Sequence, residues 1–415
     1  MQMTPSPRHR LFYGWYIVAS GAAVQLLQTS LVTFSFGAYL VVLRETFGWS
    51  KTAIAGAASM QQIEGALLGP LQGWIIDRFG ARGMMRAGIG LLGAGLILLG
   101  LISSLAGFYA AFVLIALGVT LSGFFPASVT IINWFERRRA RALAALQIGL
   151  ALGGVVAPAV AWSMQHYGWR ATAIGSGLLV LALGFPAISM VRNRPEEIGE
   201  TVDGEPRPQA GARAEEGGAA PEFTLAQAVR TRAFWLVSIG HGLALMSVAA
   251  VNVHAIVHMN ESLGYSVSAA AGVMSMMIVF YGAGIAGGWL WGDRFDKRMV
   301  CAACMLLHMA GVLLLAYASS FAMLFAFALA QGVAWGWRGP LMNAIRADYF
   351  GRRAIGKIIG LSAIITVIGH AAGPLVAGAF ADLLGNYRAG FTVIGMMSGI
   401  GTLCFLFARP PRARG

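Results

Sequence analysis

The stretch GVAWGWRGPLMNAIRADYF, residues 332–350, places Arg338 at the end of an apolar run that begins near Phe321 and holds no other charge. A guanidinium keeps its proton, and its planar fork matches a carboxylate with two parallel hydrogen bonds. A charge in the middle of a membrane costs at least ~2.5–3.5 kcal/mol on insertion scales, so a residue that bears it is read as functional. On that reading Arg338 is the docking point for an anion in a central aqueous cavity. Gln331 lies two turns earlier on the same helical face, with Trp335 close to it, which adds a polar and an aromatic neighbour. The competing reading is structural: an ion pair, or an arginine bonded to carbonyls where Gly339-Pro340 disturbs the helix.

Of the 17 acidic residues, 16 fall in loops, tails or helix ends; Glu64, in MQQIEGALLGP, falls near the middle of an apolar span. Burial raises a carboxylate's pKa toward the working range, so Glu64 is suited to load and unload a proton. Alternatively it pairs permanently with Arg338 and acts as a gate or tie. His241 and Asn252, three turns apart on one face, and His370 are further cavity-lining candidates, and histidine titrates near neutral pH. His254 and His258 are spaced i,i+4, but no third ligand has suitable spacing, so no metal or cofactor is expected. Cys301, Cys304 and Cys404 lie in apolar helices and read as packing residues. No nucleophile has a base at catalytic spacing, which argues against an enzyme.

These residues must be held by membrane-spanning helices. The 415-residue chain is 57% hydrophobic and 11% charged, against about 25% charged in soluble domains, and its mean hydropathy is +0.69. Twelve apolar segments are long enough to span, near 13–43, 51–76, 84–104, 107–134, 140–164, 169–191, 231–258, 266–291, 299–317, 321–348, 354–381 and 388–408. The net charge of +13 does not mark a nucleic-acid footprint. With a cytoplasmic N-terminus, 25 of the 30 Lys and Arg fall on the cytoplasmic side, four fall outside (Arg44, Lys51, Arg170, Arg388), and Arg338 lies within a span. That bias places both termini in the cytoplasm.

The chain is also duplicated. FGWSKTAIAGAASM (47–60) matches LGYSVSAAAGVMSM (263–276) at an offset of 216, and Asp77-Arg78-Phe79 recurs as Asp293-Arg294-Phe295 at the same offset. Pro126 and Pro340, and Arg138-Arg139 and Arg352-Arg353, pair at an offset of 214. The expected architecture is an all-α integral membrane fold of twelve helices in two pseudo-symmetric six-helix bundles, 1–191 and 231–415. Residues 192–230, rich in Glu, Arg, Pro and Gly, read as a flexible cytoplasmic linker, with TLAQAVRTR as an amphipathic surface helix. A parallel six-plus-six repeat is the arrangement of a secondary transporter with its site between the halves. The repeat pairs Arg338 with apolar Phe124, so one half supplies charge and the other a wall for an acyl or aromatic tail.

GWIIDRFGAR, with Gly73, Asp77, Arg78, Gly80 and Arg82, resembles the loop signature of the major facilitator superfamily, and the resemblance covers nearly the whole chain. YGWY (13–16), FGWS (47–50) and NWFERRRARA (133–142) are similar to its monocarboxylate transporter and oxalate/formate antiporter branch. The resemblance implies alternating access gated by the loops. Asp77 would close against the start of helix eleven near Arg352 and Arg353, and Asp293 against helix five near Arg138 and Arg139. Oxalate-type relatives hold a dianion with cations on helices eight and eleven. Here helix eight has no Lys or Arg and helix eleven offers His370, which favours a substrate with one carboxylate.

The expectation is a monomeric multi-pass transporter of the plasma or inner membrane. It would bind no nucleic acid and would move a small organic anion together with a proton. Two alternatives stand beside it: an exporter or exchanger of amphipathic metabolites or drugs, and a non-transporting membrane sensor. The duplicated Asp-Arg loops argue against the sensor.

Overall fold

The computed structural model describes residues 12–49, 68–69, 71–204 and 222–411, and among these every regular element is helical. The first half contains α1 (Gly14–Gln28), α2 (Phe36–Phe47), α3 (71–79), α4 (Ala81–Leu101), α5 (Leu105–Ser122), α6 (Phe124–Trp134), α7 (Arg139–Tyr167) and α8 (Trp169–Ser189). After the short α9 (Leu225–Val229) come α10 (Arg232–Val257), α11 (Val267–Trp291), α12 (Lys297–Ala316), α13 (Phe321–Phe350), α14 (Ile355–Leu384) and α15 (Arg388–Phe407). Ten of the described segments are long and apolar enough to cross a membrane. To these α13 adds a 30-residue helix carrying Arg338, Arg346 and Asp348, and the middle of the expected second helix, with Glu64, lies outside the described residues.

Two of the expected spans are broken, each for a local reason. The first is interrupted by a π-helical turn, Thr29–Thr33, between α1 and α2. There the Thr29 and Ser30 hydroxyls donate to the carbonyls of Gln25 and Leu26 at 2.7 Å, and such back-bonding loosens a helix. The fourth divides at Gly123, where Gln28 reaches across and donates to the Ser122 hydroxyl at 2.8 Å. Polar side chains thus absorb the groups that a bend would otherwise leave unpaired.

Lipid is as apolar as leucine, so helices associate through close packing rather than a hydrophobic drive. Gly369 and Gly373 on α14 lie against α10 so closely that a Cβ would stand 2.2 Å from the Gly242 oxygen and 2.1 Å from the Met246 oxygen. Between the halves, α7 packs on α11 and α13, while α6 touches α13 and α14. These contacts place the starts of α7 and α14 at the same end of the molecule as Asp77 and Asp293.

The described parts of the linker are docked on the helices. The buried Trp134 indole donates to the Arg192 carbonyl at 2.8 Å, and the Phe223 amide donates to Phe350 at 3.0 Å. The expected surface helix is α9, begun by a Thr224–Gln227 capping box.

Candidate functional site

The two duplicated acids perform the same act on opposite halves. The Asp293 carboxylate accepts from the amides of Ala140 and Arg141, each at 2.9 Å, at the first turn of α7. Asp77 accepts from the Lys357 amide at 3.4 Å, at the first turn of α14. Helix N-termini offer unpaired amides and a positive dipole end, so a carboxylate from the other half fits there. Burial pushes both carboxyls above the ordinary range, partly countered by these amides and by Lys357 for Asp77 and Lys297 for Asp293. The approach is tight at α3, where Gly73 meets α14 at Gly356: a Cβ on Gly73 would lie 2.3 Å from the Gly356 oxygen.

At these helix starts the groups that meet the acids are backbone amides, and the neighbouring arginines are engaged elsewhere. Arg352 instead donates across the seam to the Asn133 carbonyl at 2.9 Å. Arg139, 2% exposed, pairs with Asp348, which Lys297 also holds at 2.9 Å. Arg138, Arg294 and Arg353 are exposed. Arg78 lies over the rings of Trp74 and Phe79, and Arg82 caps the end of α8 through the Ser189 carbonyl at 3.0 Å. Gly80 has φ +79 and packs on Asn193, which accepts from the Arg82 amide at 2.9 Å.

The repeat register also needs correction. A bend and two turn residues precede α7 at Arg139 and precede α14 at Ile355, 216 positions later. Glu136-Arg137 therefore corresponds to Arg352-Arg353, and the 214-residue pairing of Arg138-Arg139 slips by two.

Arg338 is buried, 1% exposed, where the sequence suggested an open cavity. It faces α12, within electrostatic range of Cys301 and Cys304, and its Nε and Nη1 have no hydrogen-bond partner among the described residues. Gln331 belongs to the same interior: His308 Nδ1 lies 2.9 Å from its side-chain oxygen, and its amide donates to Ser247 at 3.2 Å. His241 joins through Arg346, whose Nη2 lies 3.1 Å from His241 Nδ1 and donates to Ser362 at 2.7 Å. Trp335 turns instead toward α11, its ring centroid 4.6 Å from that of Tyr281. Phe124 is half-buried in the first half, Asn252 is exposed, and His370 is half-buried on α14. Those three are not drawn to Arg338. His254 and His258 face the carbonyls of Pro374 and Leu315 at 3.0 and 3.1 Å.

Sequence reasoning missed Arg346, buried at 2%, because it lies near a helix end and reads as an interfacial cation. It also missed the seam bonds Tyr281 to Gln147 at 2.9 Å and Asn343 to Ser128 at 3.1 Å. Polar residues at those places in apolar helices were the available signal.

The family model described as Major Facilitator Superfamily matches residues 19–291 and 237–415. The chain is 27% identical over 407 residues to monocarboxylate transporter 13 of Bos taurus, covering 95% of this chain and 89% of that protein. It is 27% identical over 429 residues to the membrane sensor protein UhpC of Salmonella typhimurium, covering 97% and 90%. A crystal structure of the E. coli fucose:proton symporter FucP aligns with a TM-score of 0.69 at 17% identity, over 95% of this chain and 99% of that one.

Proposed function

The chain belongs to the major facilitator superfamily, and from that premise we propose proton-coupled, alternating-access transport of a small, monocarboxylate-like organic anion. Residues 1–191 and 231–415 are the two moving bundles, joined by 192–230. The end bearing Asp77 and Asp293 is cytoplasmic, as are both termini, and the molecule acts as a monomer in the cell membrane. The state described here has that end closed.

The observation that carries the anion reading is Arg338: a guanidinium in a bundle interior, with Nε and Nη1 unpartnered and no ion pair among the described residues. An uncompensated buried cation calls for an anion. Gln331 and His241 share its interior, while Trp335, Phe124, Asn252 and His370 line the path on either side as the bundles rock. Glu64, outside the described residues, is the proton carrier or gate. The likeness to a monocarboxylate transporter supports the substrate class.

The test is uptake of labelled monocarboxylates into proteoliposomes with and without an inward proton gradient, with Arg338→Gln and Glu64→Gln beside the wild type. Gradient-driven uptake lost in the arginine variant, with exchange kept in the glutamate variant, supports both roles. The likeness to UhpC favours a sensor as second reading. A folded wild type that takes up no monocarboxylate would sink the monocarboxylate reading and turn it to efflux of amphipathic metabolites, with Arg338 a structural charge.

A further inference from the structure

Asp203 and Glu222 stand near the two ends of the described gap in the linker, and each carboxylate is spent on the backbone of a different half. Asp203 Oδ2 accepts from the amides of Glu136 at 3.0 Å and Arg137 at 2.8 Å. Glu222 accepts from Arg352 through Oε1 at 3.2 Å and from Arg353 through Oε2 at 2.7 Å. Glu136-Arg137 and Arg352-Arg353 are the equivalent turn residues of the repeat. Asp203 has φ +58, the sole positive φ outside glycine among the described residues. A left-handed residue with a side chain is disfavoured, though least for Asp and Asn, and it persists where its surroundings demand it. On the other side Glu222 is held in place by its neighbour Phe223, 6% exposed, whose ring meets that of Phe350 at 5.7 Å.

Each of the two helix starts therefore receives two carboxylates. The α7 start is met by Asp203 at residues 136 and 137 and by Asp293 at 140 and 141; the α14 start is met by Glu222 at 352 and 353 and by Asp77 at 356 and 357. The latch acid comes from the opposite half and must let go when the seam opens. The linker acid caps a turn of the half to which that end of the linker is docked, so it stays through the cycle.

We propose that Asp203 and Glu222 are positioning residues of the cytoplasmic gate: the linker folds the turns ahead of α7 and α14 so that the next amides face Asp293 and Asp77. The linker is then a structural part of the gate, with one clamp for each latch. This rests on the alternating-access reading above, but not on the substrate.

The experiment reads the gate directly. Val129, 1% exposed, lines a cytoplasmic cavity of about 240 Å³ beside Asp77, Asn133 and Arg352, so a cysteine in V129C reacts with a soluble maleimide only when the seam opens. The three native cysteines are buried, and the parent protein gives the background rate. Removing one clamp in D203A or E222A is expected to speed labelling about two- to tenfold, as for loss of modest hydrogen bonds. D203N should label as slowly as its parent, since one amide oxygen can accept both bonds that Oδ2 accepts now. E222Q should fall between parent and E222A, because the two amides use separate oxygens and glutamine has one. D203A should be non-additive with D293A and multiplicative with D77A, and E222A the reverse.

D203A labelling at the parent rate, D203N as fast as D203A, or equal coupling of D203A to D77A and D293A would each overturn the proposal. If D203A does not fold, the ranking of D203N and E222Q decides it, with E222Q the faster. Labelling needs no substrate. Failed uptake with the ranking intact sinks the monocarboxylate reading alone, and intact uptake without the ranking sinks the clamp alone.

Discussion

The Tyr281 hydroxyl donates to the Gln147 side-chain oxygen at 2.9 Å, tying α11 of one half to α7 of the other with both side chains under 9% exposed. The bond crosses the seam between the halves in this closed state. Tyr281→Phe removes the donor and keeps the ring against Trp335, so it isolates one hydrogen bond of about 0.5–1.5 kcal/mol. The open population should rise by about two- to tenfold, read as faster maleimide labelling of V129C. Unchanged labelling would mean that the bond does not hold the seam.

Under the proposed anion reading, Arg338 sets transport against stability. Removing a buried charge that has no ion-pair partner among the described residues relieves a desolvation penalty, so Arg338→Gln should raise the melting temperature in detergent by a few degrees while abolishing gradient-driven uptake. Arg338→Lys should not restore uptake, because an ammonium lacks the planar fork. A fall in melting temperature with the loss of uptake would reassign Arg338 to holding α12 against α13.

The gate should respond to acid in a defined direction. Burial raises the carboxyls of Asp77 and Asp293 in the closed state, with Lys357 and Arg194 facing the first and Lys297 and Asp348 facing the second. Once released into water each returns toward the ordinary value of about 3.9. The conformer with the higher pKa gains on protonation, so closure strengthens as pH falls through the raised values and is lost as pH rises through them. Spin labels at Arg86 and Met299, both exposed on opposite halves, should report a shorter-distance population that grows on acidification. The opposite trend would put another group in control.

Gly73 and Gly83 make a matched pair. A Cβ on Gly73 would meet the backbone of Gly356 and Lys357 at 2.3–2.9 Å, whereas one on Gly83 meets nothing within 4 Å. Gly73→Ala should cost the closed state on the order of 1–3 kcal/mol and slow transport. Gly83→Ala should leave transport intact and add up to ~1 kcal/mol of helix stability. Equal transport rates for the two variants would remove the α3–α14 contact from the gate.

Much of this was readable beforehand because it is written in residue types. The spans follow from apolar length, and the latch acids stood out because Asp-Arg-Phe occurs twice at one spacing. What stayed hidden depends on backbone. The amides that receive Asp77, Asp293, Asp203 and Glu222 belong to any residue, so no side chain advertises them. Three successive arginines, 137–139, let the repeat match in two registers, and only the turn before each helix chooses between them. Arg338 was conspicuous as a charge, but the direction it faces depends on the rotation of α13, which is set by its packing on α11 and α12.

The two latches are unequal. At α7, Asp293 makes two 2.9 Å bonds beside the Arg139–Asp348–Lys297 cluster; at α14, Asp77 takes the Lys357 amide at 3.4 Å and the Gly356 amide, and each acid has a lysine at 3.9 Å. Separation should therefore begin along α3 and α14 and pivot about α7 and α11, so that the inward mouth opens off-axis. A solute would then leave sideways past Gly73, and the side of the protein facing α3 would be the one where crowding or a bound neighbour slows release.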